Sequence, residues 1–142
     1  MKKENLFVLD ASALIAIIGQ EVGWRIVDRV LETGRGISTP IALVEAFGSA
    51  RRKRGMNRGE VSTMLTGLGL RIEPLIEQDA DEIDFILERA ELAAARLGSP
   101  RQLSIADAAC LALGRRLDAK VVFSDSFWEI IDLPGVQIAP FR

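Results

Sequence analysis

The chain has 142 residues, 49% of them apolar, which excludes a disordered polypeptide and suits one domain spanning residues 1–142 with a core that needs no staples. It contains no histidine, which excludes Ser-His-Asp and Cys-His catalysis, His-ligated zinc and imidazole general bases. Its net charge of −2 excludes a passive nucleic-acid coat, whose surface must be clearly basic.

Lys2-Lys3 followed by Leu6-Phe7-Val8-Leu9 faintly resembles a secretory signal, but Glu4 and Asp10 interrupt it. The apolar stretch from Leu6 to Ile18 is too short to span a membrane, so a cytoplasmic protein without a membrane association is expected. Leu6–Leu9 is a continuous apolar run, the pattern of a buried parallel strand. A helix is predicted from about Ser12 to Ile18, with Asp10 or Ser12 as N-cap and Gly19 as its breaker. Trp24, Ile26, Val27, Val30 and Leu31 recur at helical spacing and predict a second helix to about Glu32.

Gly36-Ile37-Ser38 reads as a short strand, and Thr39-Pro40 as an N-cap followed by proline at the first helical position. That helix carries Glu45 and the basic run Arg51-Arg52-Lys53-Arg54 and stops at Gly55. A further helix is predicted from about Asn57 to Leu68, then an alternating strand Leu70–Leu75 with Pro74 near its end. Ile83, Ile86, Leu87, Ala90, Ala94 and Leu97 share one face of a long helix ended by Gly98-Ser99-Pro100. Ser104 opens a helix running to about Leu117 and containing the lone cysteine, Cys110, which reads as a small core residue. Lys120–Phe123 and a segment around Val136–Ile138 complete the strands. Strands alternating with helices imply an α/β domain with a mainly parallel central sheet, whose ligands bind beyond the carboxyl ends of the strands.

Four acids interrupt apolar sequence: Asp10 after Leu6–Leu9, Glu45 within Ile41–Phe47, Asp107 within Ile105–Leu111, and Asp125 after Val121–Ser124. Ionised carboxylates there are costly unless paired or bound to a metal. Asp10 and Asp125 follow predicted strands, and Glu45 and Asp107 lie near helix starts, so all four can meet at one rim of the sheet. A cleft of carboxylates suits a hard cation, Mg²⁺ or Mn²⁺, able to activate water and stabilise charge in phosphoryl displacement. Each acid alone has a plainer reading: Asp10 as a helix cap, Asp107 in a Ser-x-x-Asp capping pattern, Asp125 in a Ser-Asp-Ser turn, Glu45 solvated on an outer face. The four together carry the argument.

The segments Val8-Leu9-Asp10-Ala11-Ser12-Ala13-Leu14, Ala42-Leu43-Val44-Glu45-Ala46, Leu103–Leu113 and Val121-Val122-Phe123-Ser124-Asp125-Ser126-Phe127-Trp128 resemble, in order and spacing, those of VapC-like PIN-domain ribonuclease toxins. That resemblance covers essentially the whole chain. It implies a twisted parallel sheet flanked by helices, an acidic site of Asp10, Glu45, Asp107 and Asp125 binding Mg²⁺ or Mn²⁺, and endonucleolytic cleavage of RNA leaving 5′-phosphate and 3′-hydroxyl ends. It also implies a homodimer and a small cognate antitoxin. Ser12 and Ser124 match positions where the family often has a hydroxyl near the site. Phe123 stands where the family often has threonine.

Arg51, Arg52 and Arg54, with Arg58, are candidates for guiding the RNA backbone, or else cations complementing a helix C-terminus. Trp24 and Trp128 can stack bases, or pack in the core or a dimer interface. Two other classes compete: a catalytically inert module of the same fold that binds another protein, and a phosphatase or receiver domain using Asp10. The phosphatase pattern wants a second Asp where Ser12 stands, and both patterns want a well-placed lysine late in the chain, whereas Lys120 precedes its strand instead of following it.

Overall fold

Three apolar residues, Phe7–Leu9, form β1 at the centre of a five-stranded sheet. The computed structural model describes residues 5–125, 128, 129, 131 and 133–142. Lys2, Lys3 and Glu4 of the signal-like segment, and Ser126 and Phe127 of the last motif, lie outside the described residues. Val8 and Leu9 are fully buried, as a strand covered on both faces requires. β1 is followed by α1 (Ala11–Gly19), α2 (Trp24–Glu32), β2 (Gly36–Ser38), α3 (Pro40–Arg54), α4 (Arg58–Gly67), β3 (Arg71–Ile72), α5 (Glu77–Arg96), α6 (Ile105–Leu117), β4 (Lys120–Phe123) and β5 (Gln137–Pro140).

The strand order is β3-β2-β1-β4-β5, and every pairing is parallel. Val8 pairs with Ile37 on one side and Val121 on the other, so the carboxyl ends of β1, β2 and β4 share one rim. Asp10 lies just past β1, and its backbone N–H donates to the Val122 carbonyl. The Ser38 hydroxyl donates to the Leu9 carbonyl at 2.6 Å, tying β2 to β1 beneath that rim. Among the described residues no helix is long and apolar enough to cross a membrane.

Local chemistry sets the helix ends. Asp10 caps α1 by accepting the Ala13 N–H at 2.8 Å, and Ser12 is already helical. Thr39 caps α3 with Pro40 at its first position, and Gly55 ends that helix at φ +64°. Asn57 and Glu60 form a reciprocal capping box on α4. Gly19 is the last residue of α1 instead of its breaker; Gln20, at φ +49°, makes the left-handed turn. The place of Gly19 is explained by Arg54, whose guanidinium bonds the Gly19 carbonyl at 3.2 Å in space that a Cβ would fill.

The six-residue strand expected over Leu70–Leu75 is only Arg71–Ile72. It pairs on one side alone, both residues are exposed, and Pro74 removes the donor that would prolong it. The terminal strand begins at Gln137 and reaches Pro140, later than the apolar Val136–Ile138 pattern implied. It is the opposite edge, and its register is fixed by pairing Val121 with Ile138.

Helix α6 is apolar almost all round and buries Ala106 and every residue from Ala108 to Gly114. Its small residues allow close packing on the sheet. A Cβ at Gly114 would stand 2.5 Å from the Val121 side chain. Gly114→Leu is therefore expected to lower stability by about 2–3 kcal/mol, read as a reduced midpoint in urea without a change in slope.

A candidate acidic active site

Four elements bring the acids to the rim. Asp10 ends the β1 connection, Asp125 follows β4 by two residues, Asp107 lies in the first turn of α6, and Glu45 is one and a half turns into α3. Because α6 precedes a parallel strand, its N-terminus lies at the same edge as the carboxyl end of β4. Asp10 is buried, Asp107 half-buried, and Glu45 exposed. Burial pushes the Asp10 carboxyl up to about 7, against hydrogen bonds from Ser12 and Ala13, and the Asp107 charge adds to the rise. Burial likewise raises Asp107 to about 6, against hydrogen bonding from Ser104, with repulsion from Glu45 and Asp125 adding to it. Asp107 thus feels all three other acids. Cys110, fully buried beneath them, has its thiol pushed up by burial first and then by Asp10, Asp107 and Glu45. It is the inert core residue its sequence context suggested.

The hydroxyls form a chain onto Asp10. Ser12 Oγ lies 2.7 and 2.8 Å from the two Asp10 oxygens as a shared donor, and Ser124 Oγ donates to Ser12 Oγ at 3.0 Å. Phe123 offers no hydroxyl; its ring stacks on Trp128 with centroids 5.1 Å apart and planes 4° from parallel. Trp128 is buried, which makes it a core residue and not an exposed stacking platform. Its indole N–H is close enough to Asp107 to favour the ionised carboxylate, yet makes no hydrogen bond of ordinary geometry among the described residues. Trp24 is partly buried against the core, with the Arg25 guanidinium 5.2 Å from its ring centroid.

The basic run divides. Arg51, Arg52 and Lys53 line an open cleft of about 540 Å³ together with Glu45, Gly48 and Ser49. Arg54 turns away, bonding the α1 carboxyl end at Gly19 and lying 3.7 Å from Glu21. Two charged residues near the acids had no sequence signal: Arg142, whose charge reaches Asp10, and Arg101, in the loop before α6, which donates its Nη2 to Asp125 Oδ1. Arg101 is 24 positions from its partner, and nothing local marks it.

The donor set is oxygen only, which fits Mg²⁺ or Mn²⁺, and two of its carboxylates are held near one another at a cost that a divalent cation would relieve. Among the described residues, however, no three acidic side chains stand together as a ready cage. Glu45 is exposed on α3, and Arg101 engages Asp125.

A family model described as PIN domain matches residues 7–132. No curated protein matches the chain in sequence. Among solved structures, DNA-bound VapBC from Salmonella typhimurium is similar at 19% identity and TM-score 0.66, covering 98% of this chain and 100% of that one. VapBC2 from Rickettsia felis, bound to a promoter DNA fragment, is similar at 12% identity and TM-score 0.65, covering 95% and 98%. VapC20 from Mycobacterium tuberculosis, a Sarcin-Ricin loop cleaving toxin, is similar at 16% identity and TM-score 0.58, covering 87% and 93%. At these identities the likeness is one of fold.

Proposed function

Because the chain belongs to the PIN-domain family, we propose that it is a metal-dependent endoribonuclease, the toxin of a toxin–antitoxin pair, with its active site at Asp10, Glu45, Asp107 and Asp125. The observation that carries this reading is the convergence on Asp107 of the three other acids, two of the four lifted well above the ordinary carboxylate range. Supporting it, a Sarcin-Ricin loop cleaving toxin shares the fold.

Asp10, Asp107 and Asp125 are assigned to hold Mg²⁺ or Mn²⁺, which when bound supplies an acidified water and charge stabilisation at the scissile phosphate. Ser12 and Ser124 orient the Asp10 carboxylate through their hydroxyl chain. Glu45, exposed at the mouth of the basic cleft, is a further ligand or the group that takes a proton from the attacking water. Arg51 and Arg52 hold the RNA backbone beside it. Arg51→Gln and Arg52→Gln should each weaken binding of a structured RNA and reduce its logarithmic salt slope by about 0.7–0.9. Arg54→Gln should mainly loosen the end of α1 and leave that slope unchanged.

A small antitoxin is the proposed protein partner, supported by the fold shared with two VapBC assemblies. Exposed Val22 and Ile26, beside the cleft lined by Gly23 and Trp24, provide apolar surface for it. A homodimer is proposed as well, with Phe85 and Leu92, two turns apart and exposed on α5, as surface for a second copy. Light scattering of the purified chain should then give twice the 15.5 kDa chain mass. A cytoplasmic location accords with such a substrate and partner.

The rival reading, an inert module that binds another protein, draws on the lack of a ready cage of three acids among the described residues. Incubation of total RNA with Mn²⁺ or Mg²⁺ separates the two. Cleavage by the wild type and none by acid-site variants supports the nuclease, whereas equal products from all of them refute the proposed site.

A further inference from the structure

Asp10 feels the charge of Arg142, and Glu45 lines a cleft with Arg51, Arg52 and Lys53, whereas Asp125 makes a direct ion pair with a cation of its own chain. Arg101 reaches it from the loop between α5 and α6, and the Arg101 backbone N–H is anchored on Ser99 Oγ at 3.2 Å. Both side chains are about half exposed, 50% for Arg101 and 42% for Asp125. Arg101 also borders a cavity of about 220 Å³ with Leu87, Ala90, Glu91 and Leu103.

Building on the nuclease reading, we propose that Arg101 is a resident counter-ion of the acidic site that exchanges Asp125 for an RNA phosphodiester when a divalent cation takes that carboxylate. The guanidinium charge beside Asp125 opposes any second cation there. An ion pair exposed on both sides is weak, so exchange is easy. The ion pair and a shared ion compete for the same carboxylate. Once released, the guanidinium remains within its own side-chain length of the site, and its planar fork matches the two free oxygens of a phosphodiester. Arg101 is thus a substrate-positioning residue whose two tasks pull in opposite directions: it weakens cation binding in the absence of RNA and strengthens RNA binding in the presence of the cation.

The test is calorimetric titration of Mn²⁺ into the RNA-free full chain, comparing wild type, Arg101→Gln, Arg101→Lys, Asp125→Asn and the double variant Arg101→Gln/Asp125→Asn, each checked for an unchanged melting transition. Arg101→Gln should tighten Mn²⁺ binding about three- to tenfold, from the loss of the competing pair and of one nearby positive charge. Arg101→Lys should stay within about twofold of wild type, and in the Asp125→Asn background the glutamine should gain less than about twofold. In cleavage of a structured RNA at saturating Mn²⁺, Arg101→Gln should raise KM by about five- to tenfold with a smaller change in kcat. Tighter cation binding with weaker RNA binding is a combination that a merely misfolded loop does not give. If wild type binds Mn²⁺ and folded Arg101→Gln binds it equally or more weakly, this inference is overturned while the nuclease reading stands. If neither protein binds Mn²⁺, both fall.

Discussion

Asp10→Asn should reduce RNA cleavage by about 100-fold or more while making the ion-free protein more stable, two changes of opposite sign from one lost charge. The loss of activity follows from removing the most buried anion of the acidic site. The gain in stability follows from linkage. The carboxyl rises from 3.8 in the unfolded chain to about 7 in the folded one. Between those values the folded state binds more protons than the unfolded state, so stability falls as pH rises through that window and levels off above it. Asparagine does not titrate, and its oxygen still caps α1 by accepting the Ala13 N–H. The variant should therefore match wild type near pH 4 and exceed it by on the order of 3 kcal/mol at pH 8. Urea unfolding of both proteins at the two pH values, in chelator, checks the sign. An asparagine variant less stable than wild type at pH 8 would show that Asp10 serves the fold and not the site.

Asp107→Asn should cost a similar factor in cleavage, again about 100-fold or more, with a smaller effect on the fold. Asp107 lies in the first turn of α6, where its charge favours the helix by about 0.3–1 kcal/mol. Its raised carboxyl, about 6, opposes that gain, so the two contributions partly cancel at neutral pH. Ser104 continues to accept the backbone N–H of residue 107 at 3.0 Å, which keeps the cap. The decisive comparison is with Ser104→Ala, which removes that cap. It should lower stability by about 1 kcal/mol and leave cleavage within a few-fold of wild type. Total RNA resolved on a denaturing gel, with melting curves of the same samples, distinguishes loss of chemistry from loss of fold.

The acids were legible because each breaks an apolar run, and strand-helix alternation alone puts carboxyl ends and helix starts at one rim. Strands β1, β2 and β4 and the caps at Thr39 and Ser104 were legible for the same reason: their signals are local. What sequence could not supply was long-range. The Arg101–Asp125 pair joins the loop before α6 to the segment after β4, 24 positions apart, and Arg54 is drawn from the basic run by the end of α1, 35 positions away. Edge strands were misjudged because pairing, and not periodicity, sets their length, as Arg71–Ile72 and Gln137–Pro140 show. Trp128, readable as a core or a base-stacking residue, is placed by its stack on Phe123, which also explains why an aromatic ring stands where the resemblance led to a hydroxyl.

Electron paramagnetic resonance of Mn²⁺ mixed with the purified chain tests directly whether these distant carboxylates share an ion. Wild type should remove free Mn²⁺ from the spectrum in a saturable manner, and Asp10→Asn and Asp107→Asn, both folded, should leave it in solution. An unaltered Mn²⁺ signal with wild type, or identical uptake by all three proteins, would contradict the account.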